Sequence, residues 1–190
     1  MVLTGILSSI LAFVYGVTEP RRLEILEEEK MRALEEVLPA AEHFQEEDWY
    51  FKGYEGRDSK EPLGYAFPVR GEGYSAPIET MVGVSRRGEN GALKISGIKI
   101  ISQQETPGLG ARIEEIPASR TLPDIIMGRK KEAPEEEPEP WFQAQFRNKT
   151  PDELKINDID GITGATITTE AVIDSVTKGI KKLREEVAVK

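Results

Sequence analysis

The sequence contains no cysteine and a single histidine, His43. Without cysteine the chain cannot form a disulfide, hold an iron–sulfur cluster through thiolates or build a thiolate zinc site. With one histidine it cannot build an all-histidine metal site, so we expect no metal centre in this chain. Any redox role would therefore depend on an organic cofactor. His43 lies among acidic residues and is predicted to be a surface residue.

Positive charge is scarce as well, because 25 lysines and arginines stand against 34 acidic residues, which gives a net charge of −9. Binding to a phosphate backbone needs a basic face, so a nucleic-acid partner is excluded. The length of 190 residues, with 38% hydrophobic and 31% charged residues, indicates one domain with a core plus appendages.

No charged side chain occurs from Met1 to Thr18, and the charged segment that begins at Glu19 follows at once. As a helix these 18 residues are about 27 Å long, slightly shorter than the hydrocarbon core of a bilayer. We expect a single transmembrane anchor over residues 1–18, rather than a signal peptide or a buried globular helix. The nearby Arg21 and Arg22 favour a cytoplasmic position for the rest of the chain.

The remainder is predicted to be an α+β domain with a largely antiparallel sheet flanked by helices. Residues 19–48 read as a helical stalk that restarts after Pro20, with a second helix or turn near His43, and residues 49–190 form the domain. Within it, "RGENG" predicts a hairpin turn, Ile95 to Ser102 a central strand, and "WFQAQFRNK" another strand. The acidic, proline-rich segment 130–140 predicts an exposed loop, and a final helix is expected from Thr168 to about Glu186, with Val172, Ile173, Val176, Ile180 and Leu183 on one stripe.

Two short segments carry the residue types that a cofactor site needs. "ETPGLG", residues 105–110, follows the strongest predicted strand and has two glycines that allow the backbone close to a flat or anionic ligand. "DGITGAT", residues 160–166, precedes the last helix, where free amides and the helix dipole attract phosphate. Each segment alone could be an ordinary turn or helix cap; Thr166, Thr168 or Thr169 would serve as that cap.

Taken together, the two segments resemble the signatures of the FMN-binding domains of bacterial redox complexes. Asp160, Thr163, Gly164, Ala165 and Thr166 match the Asp-x-x-Ser/Thr-Gly-Ala-Thr motif, and "GYSAPIETMVGVS" from Gly73 to Ser85 is similar to a third signature. The chain as a whole is similar to the G subunits of Rnf complexes, which are ion-translocating ferredoxin:NAD⁺ oxidoreductases.

The resemblance implies an electron-transfer subunit in which FMN is joined by a phosphoester to Thr166, with no acid–base catalyst in this chain. It implies that a flavin transferase, which takes FMN from FAD with magnesium, recognises Asp160. The remaining cofactor-binding residues would be Thr163, Gly164, Ala165, Thr168, Glu105, Thr106, Gly108, Leu109 and Gly110. Trp141 or Phe142 could stack on the ring or serve in the core.

The resemblance also implies partners and a location. The partners would be the other membrane and redox subunits of the complex, and the flavin domain would lie on the extracytoplasmic side of the cell membrane, against the hint from Arg21 and Arg22. The alternatives are the C subunit of sodium-translocating NADH:quinone reductase, an anchored flavin sensor, and an anchored scaffold without flavin.

Overall fold

The computed structural model describes residues 2–56, 59–86, 93–116 and 139–189, and every structural statement below concerns these residues. Three α-helices and five strands make up the fold, with short 3-10 turns between them. The helices are α1 (Val2–Val37), α2 (Trp141–Ala144) and α3 (Thr166–Val189). The strands are β1 (His43–Glu46), β2 (Phe51–Tyr54), β3 (Gly64–Glu72), β4 (Pro77–Ser85) and β5 (Lys94–Ser102).

The strands form one antiparallel sheet in the order β1-β2-β3-β4-β5, which confirms the predicted α+β class. Strands β4 and β5 pair with Ser85 opposite Lys94, as the hairpin prediction requires, while the turn residues 87–92 lie outside the described residues. The prediction of a central strand at residues 95–102 was wrong, because β5 is at the edge of the sheet and β3 is in the middle. Part of that edge is covered, since Ile95 exchanges two backbone hydrogen bonds with Asn148 and Lys149.

One face of the sheet is covered by α3. The predicted stripe of Val172, Ile173, Val176, Ile180 and Leu183 is buried, in one core with Tyr65, Phe67, Val82 and Val84 of the middle strands. Alternate residues of a strand point to opposite faces, so this face takes every second side chain of β3 and β4. The packing fixes the start of α3 relative to the loops at one end of the sheet.

The opposite face is covered by the C-terminal end of α1. Ala33, Leu34, Val37 and Leu38 are buried against Phe51, Ala66 and Met81 in a second core. A single helix runs from Val2 to Val37 with no boundary at Pro20, so the predicted restart of a separate stalk helix at that residue was wrong. One missing backbone donor does not end a helix whose flanking residues are mostly good helix formers.

The predicted transmembrane anchor over residues 1–18 is corrected by the structure. Among the described residues, no helix combines the length and the apolar character needed to cross a membrane. The uncharged stretch is only about 27 Å long as a helix, against about 30 Å for a hydrocarbon core, and it continues directly into charged turns of the same helix.

Two further local predictions were wrong. The segment "WFQAQFRNK" forms the short helix α2 and turns instead of a strand, because Phe142 and Phe146 are spaced four residues apart and both enter the core, with ring centroids 5.5 Å apart. The residues around His43 form β1 instead of a helix or turn, because they pair with β2 and Phe44 packs on the second core. His43 itself is exposed, as predicted.

Candidate functional site

The two motif segments that were singled out in the sequence meet at one cavity of about 450 Å³. From the glycine loop the cavity is lined by Glu105, Thr106, Leu109 and Gly110, and from the start of α3 by Gly164, Ala165, Thr166, Ile167 and Thr168. Of the residues expected around a cofactor, Gly108 and Thr163 are not part of the lining. The sheet and α3 therefore bring together segments that are more than fifty residues apart in the chain.

The glycine loop turns tightly along the wall of the cavity. The Thr106 carbonyl accepts hydrogen bonds from the N–H groups of Leu109 and Ala111, at 3.1 and 3.3 Å. Gly108 has a φ of 76°, a backbone conformation that favours glycine. A Cβ on Gly110 would lie 2.5 Å from a carboxylate oxygen of Glu105 and 2.8 Å from the Thr168 hydroxyl, so this position has no room for a side chain.

Glu105 joins three segments at the wall of the cavity. Its side chain is buried and accepts hydrogen bonds from the Ser75 backbone N–H at 2.9 Å and from the Thr168 hydroxyl at 2.6 Å. Burial by itself raises the pKa of this carboxyl, but the bonds from Thr168 and from the backbone of residues 74–76 outweigh burial and hold the pKa below its ordinary value. Glu105 is therefore a charged carboxylate at neutral pH that fixes the relative positions of the loop walls and α3.

Helix α3 begins at Thr166, immediately after a residue pair that turns the chain sharply. Gly164 has a φ of 80°, which directs the backbone into the helix. The first helical hydrogen bond runs from the Thr169 N–H to the Ala165 carbonyl, so within the described chain the N–H groups of Thr166, Ile167 and Thr168 have no backbone acceptor. Three free amides at the start of a 24-residue helix make a site for an anionic group.

The four threonines of this region have separate environments. Thr168 and Thr169 are buried, and neither is the helix cap that the sequence suggested. Thr168 donates to Glu105, whereas the Thr169 hydroxyl accepts from the Ile162 N–H and donates to the Ala165 carbonyl. Thr163 and Thr166 are exposed, and of these two only Thr166 lines the cavity.

Asp160 does not line the cavity, and its side chain is exposed. Its backbone is held by the side-chain amide of Gln145, which accepts from the Asp160 N–H at 2.7 Å and donates to the Asp160 carbonyl at 3.2 Å. The sequence had given no indication of a role for Gln145, since a contact between residues 15 positions apart leaves no local pattern.

Tyr74 and Ile167 also line the cavity, although neither was expected there from the sequence. With Leu109 they form an apolar rim at the cavity, and their exposed fractions are 73% for Tyr74, 51% for Ile167 and 44% for Leu109. The similarity of residues 73–85 to a flavin-domain signature was a usable signal for Tyr74. Of the two stacking candidates, Phe142 is fully buried in the main core and Trp141 packs against that core, and neither reaches the cavity.

The residues present fit a flavin mononucleotide. The cavity volume is within the range of about 300–1,000 Å³ that is usual for small-molecule sites. The apolar rim offers surface to a flat ring, the free amides at the start of α3 offer donors to a phosphate, and the glycines leave the backbone accessible. Residues 130–138 of the acidic segment lie outside the described residues, so the exposed loop expected there stays a prediction.

Comparison with known proteins gives matches to one family and to a set of named relatives. The sequence model of the family described as "FMN-binding domain" matches residues 73–181, which is more than half of the chain. The chain is 29% identical over 188 residues to the G subunit of the proton-translocating ferredoxin:NAD(+) oxidoreductase complex of Clostridium ljungdahlii, covering 94% of this chain and 82% of that protein. It is 25% identical over 192 residues to the G subunit of the ion-translocating oxidoreductase complex of Methanosarcina acetivorans, covering 93% and 86%. It is 33% identical over 129 residues to the G subunit of the Na(+)-translocating ferredoxin:NAD(+) oxidoreductase complex of Acetobacterium woodii, covering 67% and 53%.

Proposed function

The chain belongs to the FMN-binding domain family, and from that premise we propose that it is the FMN-carrying electron-transfer subunit of an Rnf-type ion-translocating ferredoxin:NAD⁺ oxidoreductase. It takes part in the reaction as one component of a larger enzyme, and it is associated with the membrane through that complex. The observation that carries the proposal is the convergence of the glycine loop and the start of α3 on one cavity with the exposed Thr166 in its wall.

The phosphate of FMN is placed at the start of α3. The unpaired N–H groups of Thr166, Ile167 and Thr168 and the positive end of the helix dipole stabilise its charge. Gly164 and Ala165 leave space for the phosphate beside the backbone. The rim of Tyr74, Leu109 and Ile167 would supply apolar surface against which the flat ring could pack.

FMN is attached to Thr166 by a phosphoester. Among the four threonines near the site, Thr168 and Thr169 use their buried hydroxyls in internal hydrogen bonds, and Thr163 does not line the cavity. In attachment from FAD, the Thr166 hydroxyl oxygen bonds to the phosphorus that bears the riboflavin, the pyrophosphate bond breaks, and AMP and the hydroxyl proton leave. Bound FMN supplies the redox chemistry, while the side chains of this chain hold and orient it.

The test is to produce the chain together with a flavin transferase, denature it, and measure in-gel flavin fluorescence and the mass of the intact protein. We expect one FMN per wild-type chain, none on Thr166→Ala, and FMN again on Thr166→Ser, which restores a hydroxyl. A label that survives Thr166→Ala would assign the attachment to another residue. A wild-type chain without covalent flavin would support a scaffold role instead.

The flavin domain lies on the extracytoplasmic face of the membrane, where the flavin transferase acts. Because the chain has no cysteine, a single Lys178→Cys substitution on the exposed side of α3 gives a clean reporter. We expect a membrane-impermeant maleimide to label this variant in intact cells to the same extent as in lysed cells. Labelling only after lysis would place the domain in the cytoplasm.

A further inference from the structure

Gln145 follows the last residue of α2 and reaches across to the segment that precedes α3. Its side-chain amide makes both hydrogen bonds that one residue's backbone can offer, accepting from the Asp160 N–H at 2.7 Å and donating to the Asp160 carbonyl at 3.2 Å. A side-chain amide used in this way replaces a neighbouring strand, because it offers one donor and one acceptor in the correct orientation. The position of Asp160 is therefore tied to α2.

The backbone on both sides of Asp160 is tied down as well. The Asp158 carbonyl accepts a hydrogen bond from the Lys149 ammonium at 3.1 Å, and the Ile162 N–H donates to the Thr169 hydroxyl at 3.2 Å. The side chains of Ile159 and Ile162 are buried in the main core. Residues 158–162 therefore have a fixed course although they form no regular strand or long helix.

The functional side chains of this segment remain free. Within the described chain, the carboxylate of Asp160 has no hydrogen bond or ion pair, and the side chains of Asp160, Thr163 and Thr166 are exposed. A structural aspartate of a turn normally uses its carboxylate to bind nearby backbone N–H groups. Here the backbone is bound and the carboxylate is exposed to solvent, so the carboxylate is available to a group of another protein.

We propose that Gln145 is a positioning residue that holds the Asp160 backbone so that the Asp160 carboxylate and the Thr166 hydroxyl are presented together to the enzyme that attaches FMN. This inference rests on the proposed function, and it adds a residue outside the recognised motifs. Gln145 touches neither FMN nor the reacting atoms, and it acts by keeping the acceptor segment in one conformation before the transferase arrives.

The first measurement is the initial rate of FMN attachment to the full-length apo chain, with flavin transferase, FAD and magnesium. We expect Gln145→Ala to slow attachment about fivefold, which corresponds to about 1 kcal/mol for two partly exposed hydrogen bonds. Gln145→Asn is the chemically matched control, because it keeps the amide but is one methylene too short, and we expect it to behave like Gln145→Ala. Arg147→Ala is the control for truncation of a neighbouring polar side chain, because the exposed Arg147 pairs with Glu139 and makes no hydrogen bond to Asp160 among the described residues, so its attachment rate should equal that of the wild type.

The second measurement is hydrogen–deuterium exchange at the Asp160 amide in the same apo proteins, which does not depend on flavin. We expect exchange about fivefold faster in Gln145→Ala and Gln145→Asn. In Gln145→Glu we expect protection between that of the wild type and that of Gln145→Ala, because glutamate keeps the acceptor for the Asp160 N–H but replaces the donor to the Asp160 carbonyl with an oxygen. Equal protection of the Asp160 amide in all variants would contradict the proposal that Gln145 holds the Asp160 backbone.

The outcomes separate this inference from the function on which it rests. If the wild-type chain receives no FMN, the proposed function fails, and this inference fails with it. If the wild type is labelled and Gln145→Ala is labelled at the same rate, the function stands and the positioning role of Gln145 is overturned. An equally slow Arg147→Ala would also overturn it, since the effect would then come from a general disturbance of the segment that follows α2.

Discussion

Glu105 is a buried carboxylate that is stabilised by hydrogen-bond donors of neutral groups. The donors come from the residue 74–76 loop and from Thr168 in α3, so one side chain connects two walls of the cavity. Hydrogen bonds to a charged group are stronger than those between neutral groups, and a buried charge that loses them is costly. The stability of the site should therefore depend on the charge of Glu105.

This dependence predicts how stability changes with pH. Because the pKa of Glu105 is lower in the folded chain than its ordinary value of 4.5, its contribution is complete above that value and is lost as the pH falls through the lower, folded-state pKa. Glu105→Gln should lower the free energy of unfolding by about 1–3 kcal/mol at pH 7. On acidification, the free energy of unfolding of this variant should fall by less than that of the wild type. Thermal unfolding of both proteins between about pH 7 and pH 3 measures this difference.

Glu170, an exposed carboxylate in the first turns of α3, provides the control. Glu170→Gln should keep the stability of the wild type at pH 7, since the Glu170 side chain is exposed and takes no part in the Glu105 contacts. Parallel curves for wild type and Glu105→Gln over the whole pH range would refute the role of the Glu105 charge.

At the scale of residues, sequence alone identified those that belong to recognisable motifs. Glu105, Gly110 and Thr166 were expected at a cofactor site, and all three line one cavity. The hydrogen bond between Thr168 and Glu105 joins residues that are 63 positions apart in the sequence, and the hydrogen bonds between Gln145 and Asp160 join residues that are 15 positions apart. Such contacts depend on the packed fold, so no local pattern could have revealed them.

At the scale of elements, α3 lies close against β3 because a glycine faces the strand. A Cβ built on Gly179 would lie 2.5 Å from a methyl carbon of Val69 and 2.7 Å from the ring of Phe67. Since α3 carries Thr166 at its start, the depth of this packing also sets the position of the proposed cofactor attachment site.

Gly179→Ala is therefore expected to destabilise the domain despite the better helix propensity of alanine. Propensity favours alanine by about 1 kcal/mol, whereas overpacking costs about 1–3 kcal/mol, so we expect a net loss of about 1 kcal/mol. Gly16→Ala in α1 is the matched control, because nothing lies within 4 Å of its added Cβ, and it should cause no loss. Denaturant unfolding of both variants tests this, and a Gly179→Ala protein as stable as the wild type would show that the helix can move away from the strand without cost.

The elements that sequence predicted well are those with a long, regular hydrophobic pattern. The stripe of α3 and the strands on both sides of the hairpin belong to this group. Short elements were mistaken where tertiary contacts decide the structure. Helix α2 has only four residues and depends on its two buried phenylalanines, and β1 depends on pairing with β2.

At the scale of the whole molecule, the described core residues of α1 all lie in its last turns. Among its described side chains, the buried ones begin at Ala33, and most of those between Leu11 and Glu29 are exposed. The segment around residues 19–48 that was predicted as a stalk therefore supplies the cover of one sheet face and the strand β1. The sequence pattern did not predict that this segment belongs to the domain, because the few apolar side chains at the end of α1 stand among many charged residues.

Deletion of residues 1–27 is predicted to leave the flavin domain folded, with a melting temperature within a few degrees of the full chain. The buried cluster of Ala33, Leu34, Val37 and Leu38 is retained in the shortened protein. By contrast, Leu34→Ala in the full chain should cost about 2–5 kcal/mol, because it empties a fully buried position. Scanning calorimetry on the wild type, the shortened chain and Leu34→Ala measures these differences. A shortened chain that fails to fold would mean that the N-terminal turns of α1 contribute to the stability of the domain.

The central claim is that the cavity between the glycine loop and α3 holds FMN that is covalently bound to Thr166. Its most direct test is peptide mass spectrometry of the chain purified from its native membranes. We predict that the peptide containing Thr166 carries the mass of FMN less one water, and that fragmentation places this mass on Thr166. Recovery of that peptide in unmodified form from a chain that holds its full amount of flavin would contradict the claim.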